Sequence, residues 1–202
     1  MAGSPTFPGG ITMNLTMVLS IAAAVAWVAP ESYLIVRDKG RDRGTTAMDR
    51  QTRFYNIVAT EAALVLCLLG SLHGLGFGGI PSRALMWIGV VVACAGFALR
   101  HWSIHVLGRY FRTTVELDAD HRVVQSGPYR YVRHPSYDGI IMFFVGYGLL
   151  AQNWISLVVA LALPTLALIY RMEVEERALV QALGSEYSVY QTRTKRLIPG
   201  IW

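Results

Sequence analysis

Residues 139–170 read GIIMFFVGYGLLAQNWISLVVALALPTLALIY, an apolar run too long for one bilayer crossing, which takes about 20 residues. The run is interrupted at Ala151-Gln152-Asn153-Trp154, a polar turn carrying a tryptophan of the kind found at headgroup level. This pattern predicts two helices folded back on each other as a hairpin. Three further apolar stretches, Met13 to Val36, Phe54 to Leu72 and Ala84 to Leu107, bring the expected number of spans to five.

The whole chain fits that reading. Of its 202 residues, 53% are hydrophobic and 15% charged, and the mean hydropathy is +0.40. Such an apolar excess excludes an ordinary soluble domain, and the length excludes a transporter built from two helical repeats. The expected fold is an all-α integral membrane protein of five transmembrane helices, the last two forming a hairpin. Residues 1–107 hold three spans and their connecting loops, and residues 108–202 hold a loop, the hairpin and C-terminal helices. The first dozen residues lack the basic stretch of a signal peptide, so the first apolar run is expected to remain as a span. Cys67 and Cys94 both fall within apolar runs and read as small buried hydrophobes.

Positive charge tests the count, because basic loops stay on the cytoplasmic side. The connector after the first span holds Arg37, Lys39, Arg41, Arg43, Arg50 and Arg53. The segment after the third holds Arg109, Arg112, Arg122, Arg130 and Arg133, and the tail adds Arg171, Arg177, Arg193, Lys195 and Arg196. The N-terminus and the 151–154 turn carry none, and residues 74–83 carry only Arg83. The distribution predicts an outer N-terminus and a cytoplasmic C-terminus. The net charge of +5 is then a basic face against anionic headgroups, and no nucleic-acid partner is needed to explain it. Gly74-Leu75-Gly76-Phe77-Gly78-Gly79 matches the G-x-G-x-x-G pattern, but that pattern binds a dinucleotide only between a strand and a helix, and here it joins two spans.

Polar chemistry concentrates in two segments expected on the cytoplasmic face, Gly108 to Asp138 and Arg171 to Trp202. In the first, Thr113 to Glu116 alternates as a short extended piece would, and Asp118 to Asp120 reads as a turn. Gly127-Pro128 and His134-Pro135 stop any continuous helix. The result is a looped cap with Tyr129, Tyr131, Arg133, His134 and Tyr137 within nine positions. Aromatic faces suit a purine ring, and His and Arg supply hydrogen-bond donors. The bland alternative is an interfacial belt of Tyr and Arg. Irregular backbone at the membrane surface weighs against it, since such backbone must be buried or line a polar cavity.

In the second segment Arg171 and Glu175 stand four apart, on one face of a helix, with Met172 and Glu176 on the adjacent one. By spacing alone an exposed ion pair is the commoner meaning, with Glu173, Glu176 and Arg177 forming a solvated face. Gly184 is placed to end that helix, and Ser185 to Tyr190 to begin another. Within the spans, Glu61, Arg100, His101 and His105 are ionisable groups that should face the bundle interior. The two histidines have the spacing of a helical metal pair, but no third ligand is apparent and no metal is expected.

The run Gly127-Pro128-Tyr129-Arg130-Tyr131-Val132-Arg133-His134-Pro135-Ser136-Tyr137, followed by a helical hairpin, Arg171 to Glu176 and Gly184 to Tyr187, resembles the isoprenylcysteine carboxyl methyltransferase family, within the broader group that includes phospholipid methyltransferases. The likeness extends from about Leu107 to Pro199. It implies an integral membrane enzyme that uses S-adenosylmethionine under a cytoplasmic cofactor-binding cap and takes a lipophilic or prenylated substrate from among the membrane lipids. Carried over by position, the cofactor residues are Glu116, His121, Arg122, Val123, Val124, Tyr129, His134, Pro135, Ser136, Tyr137 and Glu175. Arg171 matches the arginine that contacts substrate, and Arg171, Glu175, Glu176 and Arg133 form the candidate catalytic set.

Methyl transfer from a sulfonium needs positioning and exclusion of water more than acid–base groups. A carboxylate acceptor is already ionised at neutral pH, and Arg171 is suited to hold it through two hydrogen bonds. A lipid amine is the alternative acceptor and would need a base, for which Glu175 or Glu176 is available. A non-catalytic membrane scaffold is the remaining alternative.

Overall fold

A computed structural model describes residues 15–38, 47–71, 79, 82–113 and 122–202. Six helices follow in order: α1 (Leu15–Asp38), α2 (Ala47–Ser71), α3 (Arg83–Leu107), α4 (Pro135–Leu150), α5 (Trp154–Leu183) and α6 (Ser185–Arg193). Short 3-10 turns occupy Gly108–Tyr110 and Gly127–Arg130. Among the described residues, extended pairing is limited to two isolated bridges, Gly79 with Asn153 and Val132 with Lys195.

The predicted hairpin forms. Asn153 caps α5, its side-chain oxygen accepting from the Ile155 and Ser156 amides at 2.9 and 3.1 Å. Gly184, at φ +57°, ends α5 as expected, in a left-handed conformation that glycine adopts without cost. Two bounds differ from the sequence reading. α2 begins at Ala47, so Asp49, Arg50 and Arg53 belong to a helix and not to a connector. The acid in that first turn suits the positive end of the helix dipole. α5 does not stop at Tyr170 but continues to Leu183, which makes Arg171 and Glu175 an extension of a spanning helix. Thr114–Glu116, the Asp118–Asp120 turn and Gly74–Gly78 lie outside the described residues.

α1, α2 (from Met48), α3 and α5 are each long and apolar enough to cross a membrane. α4, with 16 residues, reaches about 24 Å, short of the roughly 30 Å hydrocarbon layer. It forms the core of the bundle: Ile140, Phe143, Phe144, Tyr147 and Leu150 are buried, and Phe143 stacks on Trp27 of α1 at 4.3 Å. Glycines set the close approach of α3 and α4. A Cβ on Gly96 would stand 2.4 Å from the Phe143 nitrogen, and one on Gly139 2.6 Å from the Arg100 nitrogen.

The two ends of the bundle differ in chemistry. At one end small polar groups meet: Thr16 with Gln152 at 3.1 Å, Ser20 with Ser71 at 3.0 Å, and Gln152 with the Ser82 carbonyl at 2.8 Å. At the other, Asp38 at the end of α1, Asp49 at the start of α2, Arg100 in α3, Ser136 in α4 and Arg171 in α5 converge. The looped segment and the tail close over this second end.

Candidate active site

The loop before α4 is held in place by the chain's own tail. The amides of Arg133 and His134 donate to the carbonyls of Lys195 and Arg196 at 2.8 and 3.0 Å. Tyr190 donates to the carbonyls of Tyr129 at 2.7 Å and Val132 at 3.3 Å. Below them Glu176, only 5% exposed, accepts from Arg133 at 2.8 Å, His134 Nε2 at 3.1 Å and Arg196 Nε at 3.1 Å. Arg133 also donates to the carbonyls of Thr194 and Gln191. A carboxylate surrounded by three donors is held ionised by charge-assisted bonds, each stronger than a neutral one.

Above this clamp lies an open hollow of about 1230 Å³, a volume that includes solvent at its mouth. Arg171 of α5 is 6% exposed on its wall. Its Nε donates to the Tyr137 hydroxyl at 3.0 Å and its Nη2 to the Thr113 carbonyl at 2.8 Å. Nη1 lies 3.5 Å from Thr52 Oγ1 and 3.6 Å from Asp49 Oδ1. Those last contacts are too long to be full hydrogen bonds, so the outer nitrogens keep N–H groups for a ligand. The Tyr137 hydroxyl in turn donates to Glu175 Oε2 at 2.5 Å, and the rings of His134 and Tyr137 lie parallel, 5.2 Å apart.

A second, part-buried ion pair forms part of the same wall. Arg100 donates from Nε and Nη2 to both oxygens of Glu31, at 2.5 and 2.6 Å, and from Nη1 to Ser136 at 2.9 Å. It also faces the Trp27 ring at 5.6 Å. Arg53, Arg112, Arg122 and Arg133 join Arg100 and Arg171 around the cavity, against Glu31 and Glu175 among the described carboxylates. The phenols beside it are kept neutral. Burial, with the nearby Glu175 and Glu176 carboxylates, holds Tyr187 well above the ordinary tyrosine range, and burial pushes Tyr190 up to about 12.

The structure therefore brings together Arg122, Val123, Val124, Tyr129, Arg133, His134, Ser136, Tyr137, Arg171 and Glu175 around one hollow. Pro135 is buried beneath it at the first turn of α4. Glu116 and His121 lie outside the described residues. Arg171 and Glu175 are not a surface ion pair; they meet through Tyr137 inside the protein. Of the face read as solvated, Glu173 and Arg177 are exposed and 3.7 Å apart, whereas Glu176 is buried in the clamp and turned away from the main cavity. Among the described residues no three His, Cys, Asp or Glu side chains are grouped to hold a metal.

Four side chains at this end escaped the sequence reading: Glu31, Asp38, Asp49 and Thr52. For Glu31 a signal existed, since a lone acid in an apolar span has to find a partner. Asp49 and Thr52 were hidden because the start of α2 reads as a charged connector.

The sequence model of the isoprenylcysteine carboxyl methyltransferase family matches residues 87–181. A protein-S-isoprenylcysteine O-methyltransferase of Dictyostelium discoideum is 30% identical over 127 residues, covering 62% of this chain and 54% of the relative. One of Saccharomyces cerevisiae is 31% identical over 116 residues, covering 56% and 48%. The chain thus spans about half the length of these curated relatives. A solved structure of the eukaryotic intramembrane Ras methyltransferase, isoprenylcysteine carboxyl methyltransferase, superposes with a TM-score of 0.57 at 23% identity, covering 91% of this chain and 63% of that one. At that identity the likeness is one of fold. The region that matches the family model, residues 87 to 181, contains most of α3, all of α4 and most of α5.

Proposed function

We propose that the protein is an S-adenosylmethionine-dependent methyltransferase that O-methylates the carboxylate of a lipophilic, isoprenylcysteine-type acceptor at the membrane. The observation that carries this reading is the chain Arg171, Tyr137, Glu175: a buried cation and a carboxylate, joined through one hydroxyl, on the wall of a single hollow between the spans and the cap.

The residues present fit the cofactor. Glu175 offers a carboxylate to an ammonium or ribose hydroxyls, His134, Tyr137 and Tyr129 offer aromatic surface, and the backbone of Arg122 to Val124 offers edge donors and acceptors. Bound there, S-adenosylmethionine supplies an electrophilic methyl group on a sulfonium. Arg171 binds the acceptor carboxylate through its free Nη hydrogens, and Tyr137 and Thr113 fix the guanidinium plane. The acceptor's hydrocarbon lies toward Ile35, Ile57 and Ile140, apolar residues that line the hollow. Glu176 holds the loop that carries Arg133 and His134, and so positions the site without touching the reactants. Arg133 is committed to the same clamp.

The excess of arginine on the wall favours an anionic acceptor over a lipid ammonium, which would enter against like charge. For the topology, we assign the arginine-rich end of the bundle to the cytoplasm, with the N-terminus outside. α4 is then a fifth crossing, shortened because it runs inside the bundle from His134 at the site end to Gln152 at the other.

Arg171→Ala is expected to abolish methyl transfer to a prenylcysteine while keeping S-adenosylhomocysteine binding by calorimetry. Glu175→Ala is expected to weaken that binding. If both variants bind the cofactor product normally and turn over at the parent rate, the assignment is wrong. A scaffold would show no thermal stabilisation by S-adenosylhomocysteine at all.

A further inference from the structure

We infer that the turn of residues 198–202 docks into the headgroup boundary of an anionic lipid leaflet, with Arg193 and Lys195 on its phosphates, so that the membrane surface holds the tail that closes the site. The inference takes α4 as a crossing and does not depend on which reaction the hollow performs.

The turn is closed by its own backbone, and it is apolar. The Leu197 and Ile198 amides donate to the main-chain oxygen of Trp202 at 2.9 and 2.8 Å, and the Ile201 amide donates to the Ile198 carbonyl at 3.0 Å. Gly200, at φ +80°, allows the reversal. Leu197 is buried and anchors the segment, whereas Ile198, Ile201 and Trp202 are 51%, 73% and 39% exposed. Residues 197–202 read LIPGIW, without a charged, hydroxyl or amide side chain. Scattered exposed hydrophobes need no explanation, but three on one closed turn mark a contact surface.

The depth of the turn says what it contacts. The Arg133 and His134 amides donate to the Lys195 and Arg196 carbonyls at 2.8 and 3.0 Å, so the tail is fastened to the residues directly before α4. α4 has 16 residues and covers about 24 Å of a hydrocarbon layer roughly 30 Å thick. Its first turn therefore lies at or inside the boundary of that layer, and exposed side chains on a segment bound there meet lipid.

Charge selects the lipid. Arg193 and Lys195 are exposed, and residues 187–202 contain no Asp or Glu. Cations followed by isoleucine and tryptophan form an interfacial anchor. The basic groups attract lipid phosphates, the indole sits among the headgroups, and the aliphatic side chains enter the acyl region. Arg196 joins this anchor to the site, its guanidinium 5.6 Å from the Trp202 ring and its Nε bonded to Glu176 at 3.1 Å.

The test uses the full chain in lipid nanodiscs, with Ile201→Cys carrying an NBD fluorophore. Cys94→Ala removes the exposed thiol, and Cys67 is buried. Quenching by phosphatidylcholine that bears a nitroxide near its headgroup reports docking. In discs of equal phosphatidylcholine and phosphatidylglycerol the probe is expected to be quenched. The ratio of docked to free probe is expected to fall about twenty-fivefold when Arg193→Ala and Lys195→Ala are combined, about fivefold for each cation. Discs of phosphatidylcholine alone should lower the ratio in the same direction with both cations in place, which keeps the inference testable if the double variant fails to fold. Absence of quenching in the anionic discs, or equal quenching in both kinds of disc, overturns it. A probe that stays in water in both discs and is shielded only by an added farnesylated protein makes the turn a protein-docking surface, and also overturns it. A second probe at Ile155→Cys, beyond the far end of α4, is expected to be quenched in either disc. If it is not, α4 is not a crossing, and the inference falls with that premise whatever the tail does.

Discussion

Asp49 and Arg171 face each other across the α2–α5 interface, Oδ1 to Nη1 at 3.6 Å, with the carboxylate 1% exposed. They are 122 positions apart in sequence by subtraction of their numbers, 171 − 49. Their pairing ties the acceptor half of the hollow to the amino-terminal helices, and it orients the guanidinium edge that Tyr137 and Thr113 leave unoccupied.

Asp49→Ala is therefore expected to do more than remove a surface charge. Removing Asp49 takes away one of the two carboxylates near a buried guanidinium, the other being Glu175 through Tyr137, and weakening the pairing of a buried charge is destabilising. The melting temperature in detergent should fall, and KM for the acid acceptor should rise. Asp49→Asn keeps the shape and should fall between parent and alanine variant. Unchanged melting in Asp49→Ala would show that the pair contributes nothing.

Tyr137 gives a different kind of expectation, because its hydroxyl accepts from Arg171 and donates to Glu175 at once. Tyr137→Phe keeps the ring stacked on His134 and removes only the link. Binding of S-adenosylhomocysteine should weaken about three- to tenfold, the range of one net hydrogen bond. The acceptor's KM should rise in the same variant. A change in one ligand alone would mean that the two halves of the hollow are independent.

Much of this arrangement was legible in the sequence, and the limits of that reading have physical causes. Helix-length apolar runs gave four long helices, and the polar break at Ala151 to Trp154 gave the hairpin, because hydropathy and turn chemistry are local properties. The i, i+4 spacing put Arg171 and Glu175 on one face, yet spacing alone favoured an exposed pair. Burial depends on what packs opposite, here α2 and the segment after α3, and no local pattern encodes that. Glu176 shows the converse. Three basic partners, from the loop and the tail, draw it into the interior, and its neighbours Glu173 and Arg177 stay outside.

Glu176 should therefore behave as a support for the fold of the site. Glu176→Gln keeps the volume but gives up the charge that Arg133, His134 and Arg196 share. It is expected to loosen the 127–134 loop and the tail together, seen as faster hydrogen exchange at the Arg133 and His134 amides that bond to Lys195 and Arg196. Cofactor affinity should fall as a consequence. If Glu176→Gln lowers kcat with loop protection and cofactor affinity unchanged, the carboxylate takes part in the chemistry and the positioning role is wrong.

The pH dependence separates the two acceptor chemistries. A carboxylic acid acceptor ionises near pH 3.5, so its kcat/KM should be level between about pH 6 and pH 9. An ammonium acceptor must lose a proton first, and its kcat/KM would rise about tenfold per pH unit toward its pKa near 10. The Tyr187 and Tyr190 phenols add no slope, because burial raises both, the latter to about 12, and they remain protonated across that window. A flat profile with a prenylcysteine acid supports Arg171 as the group that receives an acceptor already charged. A tenfold climb per unit with the same substrate would place an essential base in the hollow and remove the carboxylate mechanism.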